Sequence, residues 1–502
     1  MAILAPGLDY TDKDFDALRE RSFNLITSAF PDWTSRDVAD FGNILVELQS
    51  WIGDVLTYYQ DNQANESRIA TAQLRRSMIG LVKLIGYKPI GAVAATTQLT
   101  FALAVPPVGS VTILPGDQFR TQKVTDPVVF QALTGAVIAA GANPPAVIFD
   151  VEHSENAQQV FQSSSLPNLE VILDEVPFLD GSLTLTADDG AYSIVDDFLE
   201  SGATDRHATI TVDANDRATI RFGNGLQGTI PQGAILCTYK IGGGVNGNVD
   251  PGTITKPERG YTDEFGNVVQ VTVTNATQAS GGDARQAVES IRSAGPRSLR
   301  ALTRSVSRED FEIHVLKVPG IKRALFLTSD ERAFIEENEG HLFLVPAGGG
   351  LASQTLKNLA LAQVTTVYPR APTFRVRIYD PTFRTIAVQA KIFPRYGAGT
   401  VAQNATLDAA VKTALASFFA LDLADGTPNP TAQFGYYSDG LVAYSDIFNA
   451  VRDVPNVRRI GDNPPDLLIN GDSRDIEIDP FEFPVLGTVT LINGFTGQPL
   501  AA

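Results

Sequence analysis

Cysteine, histidine and positive charge are all scarce in this 502-residue sequence, and each shortage removes a class of function. Cys237 is the single cysteine, so neither an intrachain disulfide nor a thiolate metal cluster can form, which fits folding in a reducing cytoplasm. The four histidines, His153, His207, His314 and His341, lie far apart, and none has a histidine or carboxylate at metal-ligand spacing. We therefore expect no metal centre and no cofactor. Acidic residues outnumber basic ones 57 to 39, giving a formal net charge of −18. Such a surface repels nucleic acid and anionic lipid, and it favours solubility. No apolar run approaches the roughly 20 residues that cross a bilayer. The best stretch, Leu133 to Val151, is broken by Gly141, Pro144 and Pro145. Met1 to Gly7 also lacks the charged start and long apolar core of a signal peptide, so a soluble chain is expected.

What is present points to several domains, since 502 residues exceed what one core serves. The 42 Gly and 29 Pro promise many turns. Three amphipathic helices come first. After Asp12, residues Phe15, Leu18, Leu25, Ile26 and Ala29 recur at helical spacing. Asp40 is placed to cap a second helix whose apolar side reads Ile44, Leu45, Leu48, Trp51, Ile52, Val55, Leu56 and Tyr59. A third carries Leu74, Met78, Leu81, Val82 and Ile85 and stops at Gly86 and Pro89. The second helix is apolar over more than one stripe. Trp51, Tyr58 and Tyr59 add aromatic surface beyond what two short neighbours cover. Periodicity leaves two readings open: a private three-helix core, or a face reserved for another chain.

From about residue 95 the period changes to two, as in Leu99, Phe101 and Leu103, or Ile235, Cys237, Tyr239 and Ile241. This predicts an antiparallel β region to about residue 280. Its 130–165 stretch, rich in Ala, Gly, Ser and Gln, reads as a long loop or an inserted lobe. Further on, helices are expected near Asp283, which is placed as an N-cap, and at Ser307. There Asp310 completes a capping box and Val306 is placed to staple against Phe311. Short strands and helices then alternate. The expected fold is multidomain α+β, in four segments: a helical assembly domain at 1–92, a β-rich domain at 93–281 with an irregular insertion around 125–205, and α+β modules at 282–395 and 396–502.

The motifs carry no chemistry. Gly223-Asn-Gly225-Leu-Gln-Gly228 matches the dinucleotide fingerprint by letter, but Thr229-Ile-Pro231-Gln-Gly233 cannot open the helix that receives a pyrophosphate. It reads as a glycine-bearing β connection. No nucleophile elbow, P-loop lysine or graded calcium loop is found. One basic feature stands out: Arg297, Arg300, Arg304 and Arg308 are three, four and four apart, with Arg285 and Arg292 upstream. In so acidic a chain, pairing with carboxylates of neighbouring subunits or of the chain itself is the expected role.

Several runs are more specific than any single motif. They are Phe30-Pro-Asp-Trp-Thr34, Asp40-Phe-Gly42, Leu45-Val-Glu-Leu48, Asp54-Val-Leu-Thr-Tyr58 and Leu81-Val-Lys-Leu-Ile-Gly-Tyr87. Arg221-Phe-Gly-Asn-Gly225, Gly243-Gly-Val-Asn-Gly-Asn-Val249, Asn275 to Asp283, Ser307-Arg-Glu-Asp-Phe311 and Tyr444-Ser-Asp-Ile447 follow in order. Together they resemble the baseplate J-like family of contractile phage tail baseplate wedge proteins. The match is weakest at 125–205 and loose after about 460. The resemblance implies a structural, non-catalytic subunit of the virion tail baseplate, made in the host cytoplasm. It implies two copies in each of six wedges, a helical bundle shared with a longer wedge protein, and contacts between wedges that close a ring around the central hub and transmit host binding to the sheath. It also tips the N-terminal helices toward docking, through Leu18, Leu25, Ile26, Leu48, Trp51, Ile52, Val55, Tyr58 and Tyr59, with Arg300 and Arg304 as ion-pairing contacts. The rival reading is a receptor-binding or glycan-degrading tail protein, which needs a repetitive shaft and paired catalytic carboxylates.

Overall fold

The computed structural model describes residues 14–37, 39–123, 127–213, 215–301, 303–332, 334–461 and 466–500. The reading of Met1 to Gly7 lies outside them. Contacts divide the chain into two compact units, Met1–Pro89 with Val288–Leu299, and Ile90–Ala287 with Arg300–Ala502. Helices come first, then a large antiparallel β region, then mixed elements, so the protein is multidomain α+β.

The first unit holds α1 (Phe15–Ala29), α2 (Phe41–Glu66), α3 (Arg75–Leu84) and α4 (Val288–Ser298). Asp40 caps α2 as expected: the Gly42 N–H donates to its Oδ1 at 2.9 Å and the Trp33 indole N–H to its Oδ2 at 3.4 Å. These two donors hold the carboxyl below its usual pKa. Gly86, at φ +73°, ends α3 in the left-handed conformation; its N–H donates to Lys83 O, and the Tyr87 N–H donates to Val82 O. Met78 and Val82 of α3 pack against Ile291 of α4 in a small core with Ala72 and Tyr87. Arg292 fastens the pair by donating to Ile69 O at 2.6 Å and Ala72 O at 2.8 Å. The helix after Asp283 thus groups with the N-terminal helices, because Ile291 and Gly295 face Val82.

In the second unit, a six-stranded antiparallel sheet runs in the order Ile254–Pro257, Gln118–Thr121, Val129–Ala132, Ala146–Glu152, Thr96–Leu103 and Val271–Asn275. It curls until its end strands meet at Asn275, a residue only 1% exposed. The Ile254 N–H donates to Asn275 Oδ1 at 3.0 Å, and Asn275 Nδ2 donates to Asp250 O at 3.0 Å and Thr277 O at 2.8 Å. Phe101, Phe119 and Tyr261 fill the inside. The next sheet has seven strands, in the order Ser154–Gln162, Ala234–Gly242, Thr184–Ala187, Gly190–Ile194, His207–Val212, Ala218–Phe222 and Glu170–Ile172, with one parallel pair. The 130–165 stretch is therefore no long loop: it supplies strands to both sheets. Its pattern was hard to read because Ser154–Gln162 is an edge strand whose polar side chains face solvent.

The chain then builds two α/β layers. Helices α5 (Arg308–Val315) and α6 (Gln354–Ala362) pack on the sheet of Ile321–Leu327, Glu339–Pro346 and Arg375–Tyr379. Helices α7 (Val401–Phe418) and α8 (Tyr444–Arg452) pack on Thr382–Pro394 and its partners, among them Glu482–Asn493 in parallel. The Ser307 capping box forms. The staple does not: Val306 is exposed, while Phe311 is buried against Phe326 and Phe374. Asp283 is no helix cap either. Lys322 Nζ lies 2.6 Å from Asp283 and 2.6 Å from Asp422, and this ion cluster claims the carboxylate.

Candidate docking face

Helix α2 is built inside out. Its edge toward α1 carries small or short side chains: Asn43, Val46 and Ser50 are buried, and Leu18 of α1 sits so close over Gly53 that a Cβ there would come within 2.8 Å. The donors on this edge are answered locally, while the buried Asn43 Oδ1 has no hydrogen-bond partner among the described residues. Asn43 Nδ2 donates to Asp37 O at 2.8 Å, and Ser50 Oγ donates to Val46 O at 2.8 Å.

At about 100° per residue, the large apolar side chains centre on the opposite side of the helix. Phe41, Leu45, Leu48, Ile52, Val55 and Tyr59 follow spacings of four and three, the heptad seam of a coiled coil. Ile44, Trp51 and Tyr58 flank it at intervals of seven. Val55 is half-buried. Trp51 is 57% exposed, Tyr58 66% and Tyr59 64%, and Leu48 and Ile52 are about half exposed. Helix α1 adds Leu25, at 71%, while Leu18 and Ile26 are half-buried and none of its residues is fully buried. Phe41, Ile44, Leu45 and Leu56 belong to the same surface and were missed as site residues. The seam spacing was the available signal. The exposed apolar area on α2 is on the order of 1,000 Å², above the few hundred of the largest patch on ordinary monomers.

The expected arginine stripe is split. Helix α4 ends at Ser298 and α5 begins at Arg308, which leaves Arg300 and Arg304 on the connection between them. Arg285 pairs with Asp216 at 3.0 Å, Arg292 with Glu289 at 2.9 Å, and exposed Arg300 with Glu309 at 3.5 Å. Arg308 is held by Glu331 and Tyr436. Arg304 is exposed.

The histidines are absorbed in packing. His153 Nδ1 lies 2.8 Å from Val129 O, His207 Nδ1 2.8 Å from Ser201 Oγ, and His341 Nε2 3.0 Å from Glu339. His314 is fully buried and stacked on Tyr368; burial, and then Lys317, push its pKa down to about 4. Among the described residues, no three of His, Cys, Asp and Glu come together as a metal site, and no helix is long and apolar enough to cross a membrane. The glycine motif is a turn. A Cβ on Gly223 would lie 2.2 Å from the Gly228 backbone, Gly225 donates its N–H to Gly228 O, and the chain runs on to the strand Ala234–Gly242.

Residues 14–84, which span α1 to α3 and the whole exposed face, match the family described as bacteriophage baseplate protein, N-terminal domain. No curated protein matches the chain. A cryo-EM structure of the anti-feeding prophage (AFP) baseplate, 6-fold symmetrised, is similar to it at 10% identity and a TM-score of 0.33, over 96% of this chain and 95% of that one. The family match supports a baseplate protein, with a place in the tail baseplate.

Proposed function

We propose that this chain is a structural, non-catalytic wedge subunit of a contractile-tail baseplate, and that α2 closes a helical bundle with partner chains. One observation carries the reading: a helix that turns Gly53 and Ser50 inward presents a heptad-spaced row of Leu, Ile, Val and aromatic residues to solvent. A seam with that spacing is satisfied by another helix lying along it. The occupants favoured by the resemblance are a second copy of the chain and a longer wedge protein. Neighbouring wedges, the hub and the sheath-contacting proteins would then meet the second unit. The match of residues 14–84 to a baseplate N-terminal domain supports placing the contact here.

The test is co-expression with the neighbouring wedge protein. Trp51→Ala or Tyr58→Ala abolishes co-purification while the isolated chain stays folded. Co-purification that survives both substitutions moves the assembly surface elsewhere.

A further inference from the structure

Outside the α2 face, the least explained feature is a concentration of cations in an acidic chain. The segment at Ser305 runs beside Arg370: the Ser305 N–H donates to Pro369 O at 3.3 Å and its Oγ to Tyr368 O at 3.1 Å. The Tyr368 ring is stacked by His314 at 3.7 Å and topped by Lys317, whose Nζ lies 4.6 Å from the ring centre. Lys317 lies over this ring and Arg304 and Arg370 sit on the two bridged segments beside it, none of the three with a carboxylate partner among the described residues. The nearby acids are already engaged: Glu309 with Arg300, Glu331 with Arg308, and Asp310 in the helix cap. Val306 beside them is 79% exposed.

The 328–339 loop of the same unit has the opposite character. Glu331 and Glu339 tie it down, through Arg308 and Arg377 respectively. Asp330, Glu336 and Glu337 are exposed and make no ion pair among the described residues, and Phe334 is 87% exposed. Three cations beside an exposed valine thus face a counterpart of three carboxylates around an exposed phenylalanine. We propose that the strip around Tyr368 is a docking surface for a second copy of this chain, which lays its 328–339 loop on it. Phe334 of one copy then covers Val306 of the other, and the free carboxylates meet Arg304, Lys317 and Arg370. Patch and loop flank one Arg308–Glu331 pair, so a two-fold axis satisfies both at once. A long polyanion is a poorer occupant, because the rest of the surface repels it once it extends past the patch. This contact is separate from the α2 seam and does not rest on it.

Charge exchange tests it, in a full-length chain whose seam is closed out by Leu48→Asp with Ile52→Asp. Self-association is measured by sedimentation for two further variants: Arg304→Glu with Arg370→Glu, and Asp330→Lys with Glu336→Lys and Glu337→Lys. Each alone is expected to self-associate at least about tenfold more weakly than the background chain, and their equimolar mixture to recover the lost affinity. Arg304→Glu alone serves if the Arg370 change unfolds the protein. A monomeric background chain, variants that associate like it, or a mixture that recovers nothing overturns the proposal.

Discussion

Replacing Trp51 by alanine separates a private core from a docking face, because the two assign its cost to different measurements. In the isolated chain the side chain is 57% exposed and covers neither Val46 nor Ser50, which are buried on the other edge of α2. Full burial of a tryptophan is worth about 3–5 kcal/mol on truncation, so the fraction buried here puts at most about 2 kcal/mol at stake. For a unit of this size, that is a drop of at most roughly 10 °C in its melting temperature. In a closed bundle the same ring is an interface anchor, and its loss costs more than about 2 kcal/mol of binding, or upwards of 30-fold in Kd. A control on the inner edge reverses the pattern. Val46→Asp buries an unpaired carboxylate against α1 and unfolds the hairpin before any partner arrives. The assay pairs thermal unfolding of the isolated chain with calorimetric titration of the proposed partner wedge protein. A Trp51→Ala chain that melts far below its parent yet binds with unchanged affinity refutes the reasoning.

The Asn275 side chain bridges the end strands of the six-stranded sheet, so Asn275→Ala strands the Ile254 N–H and is expected to cost about 2–4 kcal/mol, read as a lower urea midpoint. His314 is held neutral with a pKa of about 4 against 6.5 unfolded, so its contribution is complete above pH 6.5 and is lost as pH falls toward 4. In melts across that window the parent loses up to about 3 kcal/mol that His314→Phe, which keeps the ring over Tyr368, retains. Equal pH slopes in the two proteins would remove His314 as the cause. Gly223→Ala forces a Cβ into the Gly228 backbone and lowers stability by about 1–3 kcal/mol, with no nucleotide-dependent change in melting before or after.

Much of the local structure was legible. Asp40 and Ser307 announced their helices because a cap needs only the side chain and the next few amides. Gly86 marked the end of α3 for the same reason. Pro231 ruled out a nucleotide helix after Gly228. The errors lie where a residue had a local option and a distant one. Asp283 could cap a helix, but Lys322, 39 positions on, took it into an ion cluster. Val306 could staple Phe311, but Phe326 and Phe374 stack that ring instead. Ser154–Gln162 has no period-two apolar pattern to find, because its place is set by nine backbone pairings with Ala234–Gly242.

The sequence alone determined that α2 exists, where it starts, and that its apolar residues outnumber what a small bundle needs. Periodicity reports which residues share a side of a helix, but not whether the covering surface belongs to the same chain. Only the tertiary structure shows that the described residues set Leu18 over Gly53 and leave Trp51, Tyr58 and the heptad row in solvent. The small side chains let α1 approach closely along one edge of the helix, and the large ones are left for whatever lies along the other.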